Sequence, residues 1–320
     1  MSRWRAAPRW FTAIGLAAAV GLAASAGAFA STPSPPPPRL PAITADTVHL
    51  RYEANRDYII EAGQVAERAG DPGRAATLSR MARGDRRFIT FDGRGDGKAV
   101  EVFGELSRAS RIAILVPGAD TSIDTFDLDH GLAESARNLF TGIKSAGDGD
   151  ETAVVAWLGY TTPDTVSLAA LTTGRADEGA RRLRRFVASL QSVNDAEVAL
   201  FCHSYGSVVC GRAAPGAAIS DIVVYGSPGM GADSSAALDT AANVWVAQNA
   251  GDWIAIVPNG SLSLFDMTIG FGADPMDRSF GATRLRAGGG GHSDYLAAGT
   301  PLMEDFVLIA GGRGLEVADA

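Results

Sequence analysis

Ser204 lies in the stretch VALFCHSYGSVVCG, where an apolar run of buried-strand character passes through Cys202-His203-Ser204-Tyr205-Gly206 into helix-like sequence. A serine on a tight strand-to-helix turn has its hydroxyl lifted out of the sheet. The helix N-terminus then faces it and favours negative charge developing there. This is the arrangement of a nucleophile elbow. Cys202 stands where that motif usually has glycine, but cysteine is small enough to leave the turn feasible. Gly206 lets the helix approach the strand closely.

A serine nucleophile needs a base, and behind such an elbow the partners follow in the chain order serine, acid, histidine. The chain has four histidines. His49 and His130 precede Ser204, the first in helical sequence and the second in the loop TFDLDHGLAE. His203 neighbours the serine, and its side chain should leave the turn on the opposite side, toward packing. His292, in GGGGHSDYL, is the remaining candidate, on a glycine-rich loop read as flexible enough to carry the imidazole to Ser204. The acid is expected just past a strand, where NVWVAQNAGDWIA places Asp252 beside Gly251; the alternative is an aspartate that only caps a turn. Asp274 and Asp277 are weaker candidates. Backbone donors for an oxyanion should come from Tyr205 and from Gly118-Ala119 in ILVPGAD, although Pro117-Gly118 could be a plain strand-ending turn.

The elements that must position these residues are legible from periodicity. Thr47 to Met81 is helical, with Tyr58, Ile59, Ala62, Val65, Ala66 and Ala69 on one face and a break at Asp71-Pro72-Gly73. RFITFD, GRGDG and KAVEVFG read as a hairpin. IAILVPG, AVVAWLGY, VALFCHS, IVVYGSP and VWVAQNA read as buried strands. They alternate with helical stretches at Ala133–Lys144, Asp177–Val193 and Gly206–Ala214, and a last strand is expected around Thr283–Arg286. Such interleaving indicates a parallel sheet covered by helices on both faces, with its chemistry at the C-terminal strand ends. Two long connections, Gly159–Ala176 and Pro258–Thr283, adjoin the expected site. The second is apolar enough to line an acyl pocket or, equally, to pack on the core.

The chain of 320 residues has 46% hydrophobic and 20% charged residues, a balance that excludes disordered and fibrous classes. A net charge of −8 without a basic stripe argues against nucleic-acid binding. Two cysteines are too few for a four-cysteine metal site, and neither a metal nor a cofactor is expected. Arg3, Arg5 and Arg9, the apolar run Phe11–Ala24 and Ala28-Phe29-Ala30 have the form of a signal peptide over residues 1–30; the alternative is an uncleaved membrane anchor. Residues 31–46 contain STPSPPPPRLP and read as a Pro-rich tether. Residues 47–320 then form one catalytic domain. Cleavage would leave no stable membrane span and would place the protein outside the cell or in the envelope. Cys202 and Cys210 could there form a disulfide if their Cα atoms lie within about 7 Å; the alternative is two reduced, buried thiols.

The ordered set YEAN at 52, FDGRGDG at 91, LVPG at 115, WLGY with Pro163, CHSYGS at 202, GSPG at 226, GD at 251, FGADP at 271 and GHSDY at 291 resembles an uncharacterised α/β-hydrolase family of actinobacterial type, whose members carry a G-H-S-Y-G elbow. The resemblance runs from Tyr52 to Phe306. It implies an α/β-hydrolase fold with two leading helices and a Ser204/Asp252/His292 triad; Cys202 departs from the family's glycine. It supplies no substrate. The expected activity is that of an exported serine hydrolase cleaving a small-molecule or lipid acyl ester. The alternatives are an amidase or peptidase, or a silent domain that binds an envelope ligand.

Overall fold

The computed structural model describes residues 32–318, apart from 150, 166, 168–171, 257–259 and 265–266. At 260–264, 267–269, 315 and 318 the backbone alone is described. The expected signal peptide lies outside the described residues.

Two helices come first among the described residues, α1 (Val48–Arg68) and α2 (Pro72–Met81). The break between them has a local cause. The Asp71 side chain accepts from the Arg74 backbone N–H at 2.9 Å, and Pro72 occupies the first turn, where its missing N–H costs nothing. Tyr58, Ile59, Ala62 and Ala66 form the buried face of α1, as the periodicity predicts, while Ala69 at its end is exposed.

The Pro-rich stretch is fastened rather than free. Thr32 Oγ1 donates to Asp71, Tyr58 Oη donates to the Pro35 carbonyl at 2.7 Å, and Arg51 donates to the Pro41 carbonyl. Proline carbonyls have no ladder to join and become acceptors for side chains of α1, so residues 32–46 run along the helices instead of tethering them.

The hairpin is present as β1 (Phe88–Asp92) and β2 (Lys98–Phe103), followed by β3 (Arg111–Val116), α3 (Leu132–Ser145) and β4 (Thr152–Leu158). Next come α4 (Gly174–Leu190), β5 (Glu197–His203), α5 (Gly206–Ala213), β6 (Asp221–Tyr225) and β7 (Asn243–Ala247). A two-residue strand, β10 (Thr283–Arg284), completes an eight-stranded sheet in the order β1-β2-β4-β3-β5-β6-β7-β10. β2 runs antiparallel to β1 and β4, and all pairs from β4 to β10 are parallel.

Alternation along β5 shows how the layers form. Leu200 and Cys202 face α4 and α5, whereas Phe201 points to the opposite side, packing with its ring centroid 5.5 Å from that of Phe306. That second side is covered by α1, α2, α3 and α6 (Pro301–Ala310), the last followed by α7 (Gly314–Ala318). The strands are buried on both faces, which is why they read as continuous apolar runs. α4 does the reverse: Leu183, Phe186, Val187 and Leu190 are buried, and Arg181 and Arg185 face outward.

Within the connection after β7, β8 (Gly260–Leu264) and β9 (Met267–Gly272) form an antiparallel hairpin outside the main sheet. The long Pro258–Thr283 connection thus carries strand structure of its own. Phe271, near the end of β9, is buried against the core and also borders the cleft described next.

Candidate active site

Ser204 is the first residue after β5 and has φ of 51°, a left-handed conformation rare for a residue with a side chain. Its N–H donates to the Tyr225 carbonyl at 3.0 Å, tying the turn to the end of β6. The close strand-helix approach makes Gly206 obligatory, because a Cβ there would lie 2.5 Å from the Val116 carbonyl oxygen. Cys202 and Cys210 are joined by a disulfide, with Cα atoms 6.4 Å apart. The bridge pins α5 to β5 directly behind Ser204, at the position where the usual motif has only glycine.

His292 Nε2 lies 2.9 Å from Ser204 Oγ. Its Nδ1 lies 2.9 and 3.0 Å from the two oxygens of Asp252. A carboxylate accepts, so Nδ1 donates, Nε2 is the free acceptor, and the serine hydroxyl donates to it. Asp252 is buried just past β7 and is held further by the Ile254 N–H, 2.8 Å away. Gly226, at φ +57°, leaves room for this pair: a Cβ there would sit 3.0 Å from Asp252 Oδ2 and 3.2 Å from the His292 ring. Asp274 and Asp277 cap turns of their own, accepting from the N–H groups of Met276 and Ser279.

The glycine run before His292 is not loose. The Ala250 N–H donates to the Gly288 carbonyl at 2.9 Å and the Gly251 N–H to that of Gly290 at 3.2 Å, while Asn249 Nδ2 donates to the Gly291 carbonyl at 3.1 Å. The expectation of a flexible carrier is therefore corrected. Lack of side chains lets two backbones pack together and present the imidazole from a fixed position.

Two residues not expected among the reacting set complete the site. His203 Nε2 donates to the His292 carbonyl at 2.7 Å. Burial, and secondarily His292 nearby, push its pKa down to about 4, so it is neutral at ordinary pH. Tyr295 Oη donates to Asp252 Oδ2 at 2.5 Å and accepts from the Asn249 backbone N–H at 3.0 Å. Its place three residues after His292, inside GHSDY, was the available signal. His49 is exposed on α1, and His130 stands in the cleft wall with its ring 3.5 Å from Asp294.

Gly118, Ala119 and Tyr205 border Ser204 in a cleft of about 690 Å³. Gly118 is so close that a Cβ on it would lie 2.7 Å from Ser204 Cβ. This loop is braced from the segment after β4. Tyr160 Oη donates to the Pro117 carbonyl at 2.8 Å, the Asp120 N–H donates to the Pro163 carbonyl at 3.0 Å, and the Thr165 N–H donates to Asp120 at 2.9 Å. Leu128, Leu132, Pro228, Trp253, Ile254 and Phe271 give the cleft mostly apolar walls. Among the described residues no group of three or more His, Cys, Asp or Glu is placed to hold a metal, and no helix is long and apolar enough to cross a membrane.

An uncharacterized protein of Mycobacterium tuberculosis is 30% identical to this chain over 249 residues, covering 69% of this chain and 38% of its own length. An uncharacterized protein of Mycobacterium bovis is 30% identical over 169 residues, covering 50% of this chain and 60% of its own length. The chain thus spans less than two thirds of the length of either relative. Two solved structures show distant likeness. One is an a/b serine hydrolase without lid from Xanthomonas campestris, at 15% identity and TM-score 0.41, covering 74% of this chain and 95% of that one. The other is a dienelactone hydrolase-like promiscuous phosphotriesterase from metagenomic libraries, at 15% identity and TM-score 0.46, covering 72% and 98%. The family described as alpha/beta hydrolase matches residues 92–262, just over half of the chain, running from the end of β1 into β8 and including the Ser204 turn. The chain belongs to the alpha/beta hydrolase family.

Proposed function

We propose that this protein is an exported serine hydrolase that cleaves acyl esters through a covalent acyl-enzyme. Ser204 is the nucleophile, His292 the proton carrier and Asp252 the residue that orients and stabilises the imidazolium. The observation that carries the reading is the unbroken contact from Asp252 through His292 to Ser204, at an elbow that holds the serine at φ 51°.

Ser204 Oγ attacks the acyl carbonyl carbon as His292 Nε2 takes its proton. The carbonyl oxygen becomes an oxyanion, held by backbone N–H groups of Tyr205 and of Gly118-Ala119. As the intermediate collapses, His292 returns the proton to the departing alkoxide and an ester forms on Ser204. Water repeats the sequence, releasing the acid and restoring the hydroxyl. Esters are favoured over amides because an alkoxide needs less activation to leave. The apolar walls of the cleft suit an acyl chain on a small molecule or lipid.

The export part of the proposal rests on the basic start, the short apolar run and Ala28-Phe29-Ala30, giving a signal peptide at 1–30, a Pro-rich segment at 31–46 and the catalytic domain at 47–320. A Cys202–Cys210 disulfide suits an oxidising compartment. Incubation of purified protein with a fluorophosphonate probe tests the reaction. Rapid modification confined to Ser204 is expected, and an unmodified Ser204 would refute it.

A further inference from the structure

We propose that Tyr295 is a positioning residue of this reaction, fixing the Asp252 carboxylate through its hydroxyl and so setting the direction in which His292 faces Ser204. The inference rests on the reading of Ser204, His292 and Asp252 as the reacting set.

A phenol has one proton to give. The Asn249 N–H occupies a lone pair of the Tyr295 oxygen at 3.0 Å, and Asp252 Oδ2, 2.5 Å away, receives the proton. The other carboxylate oxygen, Oδ1, accepts from the Ile254 N–H at 2.8 Å. Each oxygen is therefore held by a donor other than the imidazole, and the carboxylate plane cannot rotate about its Cβ–Cγ bond without losing one of them. The Asp252 side chain has no exposed surface, so a lost donor is not replaced from bulk solvent.

The ring of Tyr295 is placed independently of this bond. It packs with centroids 5.3 Å from Tyr225 and 6.0 Å from His203, and Gly226 leaves the gap for its edge. Burial, and then the contact with Asp252, hold the Tyr295 hydroxyl well above its ordinary pKa, so it remains a donor. The titratable groups packed around the Tyr295–Asp252 pair are His203, His292 and Tyr225. Tyr295→Phe keeps the ring contacts and removes only the hydroxyl.

The test follows fluorophosphonate modification of Ser204 from about pH 5 to about pH 9 in the wild type, Tyr295→Phe, Asp252→Asn and the double variant. Tyr295→Phe should slow modification roughly 10-fold near neutral pH, the scale of one charge-assisted hydrogen bond. It should also move the acid limb upward by roughly half a pH unit, since a carboxylate relieved of the phenol stabilises an imidazolium more strongly. On the Asp252→Asn background the same change should have little further effect. A wild-type profile in Tyr295→Phe would overturn the proposal, as would an equal loss on both backgrounds with an unmoved acid limb. A wild type that fails to react would overturn the triad reading and this inference with it, an outcome distinct from a reactive wild type matched by Tyr295→Phe.

Discussion

His203 Nε2 donates to the backbone carbonyl of His292 across 2.7 Å, so the residue before the elbow serine holds the chain that carries the imidazole. The two rings lie 4.7 Å apart, and His203 also stacks on Tyr225. A proton on the half-buried His203 would put a positive charge against His292. The side chain must therefore stay neutral for this arrangement to hold.

That requirement makes stability depend on pH in a definite direction. The folded-state pKa of His203 is lowered from 6.5 to about 4, so between those values the unfolded chain binds more protons than the folded one. Stability is complete above the unfolded value and falls as pH drops from about 6.5 toward about 4, by up to about 3 kcal/mol from this group. His203→Gln keeps a neutral donor and should flatten that part of the profile. Urea unfolding at several pH values checks it; parallel profiles for variant and wild type would count against the assignment.

On the proposed mechanism Ser204→Ala and His292→Ala should each lower ester turnover by about 10⁴-fold or more, because a nucleophile and its base act as one unit. Asp252→Asn should cost somewhat less, through the wrong tautomer and a weaker imidazolium. Turnover of a chromogenic acyl ester by each purified variant measures this. Near wild-type hydrolysis by Ser204→Ala would place the chemistry elsewhere.

Gly226→Ala should lose more than about 10-fold in turnover while the protein still folds. The added methyl would press on both Asp252 and His292, at a φ that disfavours any side chain. Circular dichroism alongside the assay separates the local effect from unfolding.

Arg86 lies buried between Glu101 on β2, with nitrogen–oxygen contacts of 2.6 Å, and Asp127 beside the cleft wall, with contacts of 2.7 and 2.9 Å. Arg86→Met would strand two buried carboxylates and should cost about 3–5 kcal/mol. Denaturant unfolding reads that loss directly. A change below about 1 kcal/mol would mean the carboxylates find other partners.

The disulfide closes a short loop, with eight positions separating its cysteines. Chain entropy then limits its contribution to roughly 2–3 kcal/mol. A Cys202→Ala/Cys210→Ala variant should lose no more than that in urea unfolding. Alkylation of denatured, unreduced protein should find no free thiol; two modified cysteines would refute the bridge.

The buried strands, the leading helix pair and the elbow were legible in the sequence because each depends on local pattern. Apolar runs bounded by turns, the proline and aspartate at 71–72, and a serine between a strand and a glycine-led helix carry their meaning over about ten residues. The chain order also singled out His292 and Asp252 from the histidines and acids available. Tertiary structure decided what depends on distant segments meeting. The Asn249–Gly251 turn fastens the glycine run, which in isolation reads as loose because composition alone cannot say whether glycines supply freedom or close approach. The carbonyls of the Pro-rich stretch likewise find donors only once α1 lies beside it. Nothing local marks His203 as more than a packing residue, and the place of Tyr295 inside GHSDY shows its nearness to His292 but not the partner of its hydroxyl. Their roles arise because β5, the turn after β7 and the His292 loop converge at one end of the sheet, where a hydrogen bond has direction and a periodic pattern has none.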